Sequence, residues 1–125
     1  MRILLDTNAF LRWRGGRPVP RQVNRALNKQ NTEIYISIVT VWEVAIKHSL
    51  HVSVTDVQTS IASMLAKLLP ITFEHLEIFG DLPIFADHRD PFDRMLIAQA
   101  ISEDLTIVSA DTRFEKYKKL RVLWD

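Results

Sequence analysis

The sequence contains no cysteine and only three glycines among 125 residues. The absence of cysteine excludes disulfide bonds, thiolate metal sites and a cysteine nucleophile, and it agrees with a reducing compartment. No apolar run approaches 18 residues, so no membrane association through a spanning helix is expected. The N-terminal segment reaches an acid at Asp6, too early for a secretory signal peptide. We therefore expect a cytoplasmic protein.

Neither positive nor negative charge is in large excess, because the formal net charge is only +1. The distribution is uneven, since residues 1–50 hold eight basic and three acidic side chains and residues 51–125 hold eight and twelve. Such asymmetry is typical of a polyanion-binding face beside an acidic site, and also of solvated helix surfaces. With 47% hydrophobic residues, the chain is long enough for one domain, residues 1–125, with a buried core.

Short apolar segments alternate with segments of helical periodicity along the whole chain. We predict strands at 2–5, 33–37, 70–73, 105–109 and 120–124. We predict helices that begin at Ala9, with Thr7 or Asn8 as the cap, and at 21–29, 38–50, 56–69, 74–79, 91–104 and, briefly, after Asp111. A capping role in the turn between the first strand and this first helix is one explanation of Asp6. The alternation predicts an α/β fold of three layers, α/β/α, with a mainly parallel central sheet.

The segment from His88 to Ala100 combines clustered charges with the start of a helix. Asp90 fits the N-cap, Pro91 the first helical position and Asp93 the third. Both acids can be explained as helix caps worth about 0.5–1 kcal/mol each. The alternative is that Asp93 is one corner of an acidic metal site completed by distant residues.

Glu43 is the only side chain between Ile34 and Ile46 that is charged at neutral pH. Helical spacing puts Val39, Trp42 and Ile46 on one stripe, with Glu43 on its margin. Lys47 lies four residues further on, so a surface ion pair worth about 0.3–0.5 kcal/mol is one explanation of Glu43. The other is a bound cation, since a carboxylate in such apolar surroundings needs a partner.

Four acids share one edge of the predicted sheet. Asp6 and Asp111 each follow a strand, Asp93 begins a helix, and Glu43 lies in a helix that follows a strand. In parallel sheets, ligands bind at the carboxyl ends of the strands. Carboxylates about 4 Å apart repel by about 4 kcal/mol at an effective dielectric of 20, so the cluster requires raised pKa values or a cation. Oxygen ligands favour Mg²⁺ or Mn²⁺ over zinc.

Five arginines surround Trp13 in the first part of the chain. The arginines can bind phosphates while Trp13 stacks on a base, or these residues can belong to solvated helix ends joined by the Gly15-Gly16 turn. The sequence leaves both explanations open. The arginines are Arg12, Arg14, Arg17, Arg21 and Arg25.

Four segments, taken together, resemble the PIN-domain ribonucleases, in particular the VapC-like toxins of type II toxin–antitoxin pairs. They are Asp6-Thr7-Asn8, Ser37 to Lys47, His88 to Ala100, and Ser109 to Phe114. Each segment alone has little specificity, whereas four in this order and spacing are specific, and they cover essentially the full length.

The resemblance implies a Mg²⁺-dependent endoribonuclease, with Mn²⁺ as a substitute, in which a metal-activated water hydrolyses RNA. It implies that the metal ligands and catalytic residues are Asp6, Glu43, Asp93 and, as the fourth, Asp111. It implies supporting polar groups at Thr7, Asn8, Ser37, Asp90 and Thr112. We expect RNA contacts from Arg12, Arg14, Arg17 and Arg94. The implied partners are an RNA substrate, a cognate antitoxin protein and a second copy of the chain, in a homodimer.

Two other functions are compatible with the sequence. One is a metal-independent ribonuclease that uses His88 with Arg89 or Arg94. The other is a non-catalytic module that binds RNA or a protein on the same scaffold. RNA cleavage that survives chelation by EDTA would distinguish the first from a metal-dependent enzyme. RNA binding without cleavage would distinguish the second.

Overall fold

The computed structural model describes residues 1–125 and has one five-stranded parallel sheet of order β3-β2-β1-β4-β5. The α/β prediction is confirmed. Two 3₁₀ turns, His48–Leu50 and Thr112–Lys116, complete the secondary structure. The strands are β1 (Arg2–Leu5), β2 (Glu33–Ser37), β3 (Lys67–Leu69), β4 (Thr106–Val108) and β5 (Arg121–Leu123). The helices are α1 (Thr7–Arg14), α2 (Arg21–Asn28), α3 (Ile38–Ile46), α4 (Val54–Ser63), α5 (Phe73–Asp81) and α6 (Pro91–Glu103).

Both faces of the sheet are covered, which gives the three layers predicted. Successive side chains of a strand point to opposite faces. Leu4 of β1 accordingly packs with residues of α6, whereas its neighbours Ile3 and Leu5 pack with Phe10 of α1 and Val23 of α2. None of the helices combines the length and the apolar character needed to cross a bilayer.

Two aspartates set the starts of helices at the edge of the sheet. Asp6 caps α1 and accepts a hydrogen bond from the Ala9 backbone N–H at 2.7 Å. The expectation that Thr7 or Asn8 caps this helix is therefore wrong. Asp90 caps α6 and accepts from the Asp93 N–H at 3.0 Å, with a proline at the first position, as predicted.

The predicted helix 56–69 is confirmed only in its first part, as α4, and the predicted strand 70–73 is wrong. Helix α4 ends at Ser63, Leu65 adopts a left-handed conformation with φ 55°, and β3 then pairs in parallel with β2. The segment predicted as a strand leads instead into α5, which Thr72 caps. Apolar residues at helical spacing continue beyond Ser63, but pairing with the sheet outweighs that local pattern.

Of the stripe that spacing defines on α3, only Val39 is buried. Trp42 is 56% exposed and Ile46 is largely exposed, whereas Glu43 is only 8% exposed. Thr40 and Glu43 of this helix face the interior of the protein instead. The Thr40 hydroxyl lies 3.0 Å from that of Thr7. The helix also ends at Ile46, with a 3₁₀ turn in place of its predicted last residues.

Candidate metal centre

The acids predicted from the sequence lie together at the carboxyl edge of the central strands. Asp6 directly follows β1, Asp111 follows β4, Glu43 lies on the helix after β2, and Asp93 lies in the first turn of α6. Oxygens of Asp93 and Asp111 lie within 4.8 Å of each other. The charges of Asp93 and Asp111 act on Asp6, and that of Glu43 acts on Asp93. The structure thus gathers acids separated by more than 100 residues.

Asp6 is buried at the centre of this group. Burial raises the pKa of its carboxyl to about 6, although the Ser109 hydroxyl and the Ala9 N–H bind the carboxylate and oppose the shift. The charges of Asp93 and Asp111 raise this pKa further. The Asp6 backbone N–H also donates to the Val108 carbonyl at 3.0 Å, which ties the residue to β4. Asp6 is therefore a rigidly held carboxylate that lacks a cationic partner within the chain.

Asp93 has a similar environment. Burial raises the pKa of its carboxyl to about 6, the charges of Asp90 and Glu43 add to the shift, and a hydrogen bond from His88 opposes it. His88 is 1% exposed, and its Nε2 lies 3.3 Å from the Asp93 carboxylate. Its Nδ1 lies 2.8 Å from the Tyr117 hydroxyl. Since an ionised carboxylate only accepts, the geometry assigns Nε2–H as the donor to Asp93, and in that tautomer Nδ1 accepts from the Tyr117 hydroxyl.

Glu43 uses only one of its two oxygens within the chain. Oε2 accepts a hydrogen bond from Lys47 Nζ, so the ion pair considered from the sequence is present. This bond raises the pKa of Lys47. Oε1 is buried and has no hydrogen-bond partner. A buried carboxylate oxygen without a donor is costly, and a cation satisfies it.

Asp111 differs from the other three acids because a guanidinium already holds it. Arg113 Nε lies 3.0 Å from Oδ1 and Nη2 lies 2.7 Å from Oδ2. Arg113 is fixed in turn by the carbonyl of Asp87, at 2.7 Å. The bonds from Arg113 lower the pKa of Asp111. Asp111 thus contributes negative charge to the cluster while bound to Arg113.

The supporting polar residues predicted from the sequence divide into two groups. Thr7, Ser37 and Asp90 are engaged beside the acids, through Thr40, Gln99 and the start of α6 respectively. Asn8 and Thr112 are exposed.

Four residues near the site were not predicted from the sequence to belong to it. A buried glutamine inside the apolar run of α6 is a detectable signal, whereas a single threonine, serine or histidine carries none. The four are Thr40, Gln99, Ser109 and, as the partner of Asp93, His88.

The predicted RNA-binding arginines are not equivalent in the structure. Arg14 binds the Ser60 hydroxyl at 3.0 Å, and Arg12 lies over the ring of Trp124, 5.7 Å from its centroid. Arg17 is exposed, just after the Gly15-Gly16 turn. All three keep part of the guanidinium at or near the surface.

Arg94 has a structural environment instead. Its guanidinium lies 5.0 Å from the centroid of Phe79 and donates to the carbonyls of Leu82 and Pro83. These contacts join α6 to the end of α5. They leave Arg94 poorly placed to bind a phosphate.

The donor set fits a divalent cation that prefers oxygen. Asp6 and Asp93 lack cationic side-chain partners, and Glu43 Oε1 is buried and unpartnered. His88 lies within 4.8 Å of Asp93 and Asp111 with a ring nitrogen. Both of its nitrogens have hydrogen-bond partners, however, so His88 positions Asp93 rather than adding a ligand. Carboxylates in this arrangement suit Mg²⁺ or Mn²⁺.

Comparison with solved structures gives the same fold. A chain of the Rickettsia felis VapBC2 complex bound to promoter DNA matches with a TM-score of 0.71 and 22% identity, over 100% of both chains. VapBC-5 of Mycobacterium tuberculosis matches with a TM-score of 0.67 and 17% identity, over 99% of this chain and 98% of that one. FitAcB of Neisseria gonorrhoeae matches with a TM-score of 0.63 and 24% identity, over 97% and 96%.

No curated protein sequence matches the chain. The sequence model of the PIN domain matches residues 3–120, nearly the whole chain. The segments that resemble PIN domains also supply the acids that meet at the sheet edge. The chain therefore belongs to the PIN-domain family.

Proposed function

We propose that this chain is a Mg²⁺-dependent endoribonuclease, with Mn²⁺ as a substitute, and the toxin of a toxin–antitoxin pair. PIN domains are generally nucleases. The observation that carries the metal dependence is Glu43 Oε1, a buried carboxylate oxygen without a partner, whose residue acts electrostatically on Asp93. Unpaired carboxylates packed this closely are stable only with protons or a cation.

In this proposal Asp6, Glu43 and Asp93 hold the ion, and Asp111 adds charge at its side. When bound, a divalent cation lowers the pKa of a water molecule and neutralises charge on the scissile phosphate. His88 holds the Asp93 carboxylate in place, and the Ala9 N–H fixes that of Asp6. The products expected from the family resemblance are a 5′-phosphate and a 3′-hydroxyl.

Arg12, Arg14 and Arg17 are the residues that we propose bind the RNA backbone. They lie on α1 and in the turn that follows it, and α1 begins at the acid edge with Asp6 as its cap. Phosphate contacts of this kind set affinity and salt dependence, not sequence preference. An RNA substrate also implies the cytoplasmic location expected from the composition.

Burial of His88 disfavours a metal-independent ribonuclease. General acid–base catalysis requires a group within hydrogen-bond reach of the substrate. His88 is enclosed, and both ring nitrogens already have partners in Tyr117 and Asp93. We therefore assign this histidine a positioning role.

Cleavage of a fluorogenic single-stranded RNA tests the proposed activity. We expect turnover with Mg²⁺ or Mn²⁺, loss with EDTA, and at least a 100-fold lower rate in Glu43→Gln and Asp93→Asn. Glu115→Gln, which removes an exposed carboxylate outside the cluster, is the matched control. Cleavage that persists in EDTA and in both variants would contradict the proposal. RNA binding without turnover would support the non-catalytic module instead.

We also propose a cognate antitoxin as partner, because the similar structures include complexes described as toxin–antitoxin pairs. An arginine on the antitoxin would suit an acidic pocket, since guanidinium groups bind carboxylates in bidentate fashion. Growth arrest on expression, relieved by co-expression of a neighbouring small gene, tests this partner. An absence of growth arrest would contradict it.

Exposed apolar residues support a homodimer. Trp42 and Ile46 are exposed on α3, and Phe73 and Leu76 on α5. Exposed apolar surface of this kind is typical of protein interfaces. We expect a dimer by analytical ultracentrifugation at micromolar concentration and a monomer for Ile46→Glu. A monomeric wild-type chain would contradict the proposal.

A further inference from the structure

A second concave site lies apart from the acid cluster. It is a cavity of about 580 Å³ between α5, the segment before α6, and the residues that follow the second 3₁₀ turn. Its apolar wall is formed by Ile78, Leu82, Phe85, Ile101 and Tyr117. None of the four acids of the metal centre lines it. Small-molecule sites are commonly cavities of roughly 300–1,000 Å³ with mostly apolar walls.

The rim of this cavity is basic. Lys116, Lys118 and Lys119 all line it, against one acid, Asp81. Lys116 is paired with Asp87 and lies over the ring of Phe85. Lys118 and Lys119 are exposed and form no salt bridge, so two positive charges stand beside the apolar wall. The complementary ligand has an apolar body and an anionic end.

We propose that this cavity binds a small amphipathic anion, whose apolar chain or ring contacts Ile78, Phe85 and Ile101 and whose carboxylate or phosphate binds Lys118 and Lys119. The apolar body supplies affinity by leaving water, and the two ammonium groups select the charge. This site does not depend on the proposed nuclease activity.

The cavity is connected to the metal centre through one side chain. Tyr117 forms part of the cavity wall, and its hydroxyl lies 2.8 Å from His88 Nδ1. His88 in turn binds Asp93. Tyr117 borders the cavity with only a small part of its surface, since it is 2% exposed. We expect a ligand in the cavity to shift the resonances of His88 through Tyr117, which gives a signal of occupancy that requires no RNA cleavage.

The test is a titration of the full chain with four ten-carbon probes below their micelle concentrations. We expect decanoate or decyl phosphate to bind, decanol to bind at least tenfold more weakly, and decyltrimethylammonium to give no binding. Comparison of decanoate with decyl phosphate distinguishes a carboxylate from a phosphate ligand. The ¹⁵N resonances of the His88 ring should shift on binding of the anionic probe.

Two variants assign the binding to this cavity. Lys118→Gln with Lys119→Gln should weaken the anionic probe at least fivefold and leave decanol unchanged. Lys29→Gln with Arg25→Gln, which removes two exposed charges from α2 and its end, should change neither. Ile101→Phe, which enlarges a partly exposed wall residue, should weaken both probes.

Four results would overturn the proposal. These are no binding of either anionic probe, equal binding of decanol, undiminished binding in the double lysine variant, and binding to anionic vesicles alone. The last would identify a membrane surface instead of a small ligand.

Discussion

Lys47 binds one carboxylate oxygen of Glu43, four residues earlier, while the other oxygen of Glu43 is buried without a partner. The lysine supplies the counter-charge that the sequence suggested, but it forms a hydrogen bond with only one of the two carboxylate oxygens. Because the Lys47 side chain is 41% exposed, the pair is partly screened by solvent. Lys47 and a metal ion are thus compatible partners of the same residue.

The first prediction concerns Lys47→Met. The metal-free variant should be about 1–2 kcal/mol less stable, because Glu43 stays buried without a charged partner. Addition of Mn²⁺ should stabilise the variant more than the wild type, since the ion then provides the missing charge. Urea unfolding with and without Mn²⁺ measures both effects. In the control Glu43→Gln/Lys47→Met most of this loss of stability should vanish. Equal stabilisation of Lys47→Met and wild type by Mn²⁺ would refute the statement that the ion replaces the lysine charge.

The second prediction concerns pH and Asp6. Its pKa is about 6 in the folded protein, chiefly because it is buried, and about 3.9 in an unfolded chain. The folded state therefore binds this proton more tightly, so its contribution to stability falls between about pH 4 and pH 6 and stays low above. Asp6→Asn, which keeps an acceptor for the Ala9 N–H, should be up to about 3 kcal/mol more stable at pH 7.5 and no more stable at pH 4.

Metal-free urea unfolding across pH 4 to 7.5 measures this difference for Asp6→Asn. Glu115→Gln, with its exposed side chain, serves as the control and should show little dependence on pH. An Asp6→Asn protein less stable than wild type at pH 7.5 would show that the Asp6 carboxylate stabilises the fold. Burial would then not be the dominant influence on it.

The third prediction separates Asp111 from the other acids. Since Arg113 already binds both of its oxygens, Asp111→Asn should lower RNA cleavage no more than about tenfold, against at least 100-fold for Asp93→Asn. Arg113→Gln should tighten Mn²⁺ binding, because it frees a carboxylate beside the site. Calorimetric Mn²⁺ titrations and cleavage rates check the two statements. Equal losses for the Asp111 and Asp93 variants would make Asp111 a full metal ligand.

Sequence patterns placed three of the acids at the edge of the sheet, because Asp6 and Asp111 follow strands and Asp93 lies in the first turn of a helix. The Asp90-Pro91 pair marks the start of α6 by local chemistry alone, so this boundary was predictable. Asp6 was placed at the end of β1 for a similar reason. Its role as the cap of α1 was one of two explanations open from the sequence, since Thr7 and Asn8 are equally good cap residues by type.

Other features depend on contacts between distant segments. Leu65 continues a helical pattern from α4, yet β3 forms because residues 67–69 complete the edge of the sheet beside β2. By spacing Trp42 shares a stripe with the buried Val39, whereas Thr40 faces inward, where its hydroxyl contacts that of Thr7 on α1. The polar partner of Thr40 thus lies on another helix, far away in the sequence. Local periodicity carries no information about such partners.

The last prediction concerns the bond between Tyr117 and His88. Tyr117→Phe removes the hydroxyl that donates a hydrogen bond to His88 Nδ1, leaving a buried ring nitrogen without a donor at a cost of about 1–2 kcal/mol. The matched control is Tyr35→Phe, whose hydroxyl has only a long contact of 3.5 Å from Arg2 and should cost under about 0.5 kcal/mol. Urea unfolding measures both variants. If the two substitutions cost the same, the Tyr117–His88 bond does not hold His88 in place, and its support of Asp93 must come from packing against Phe114.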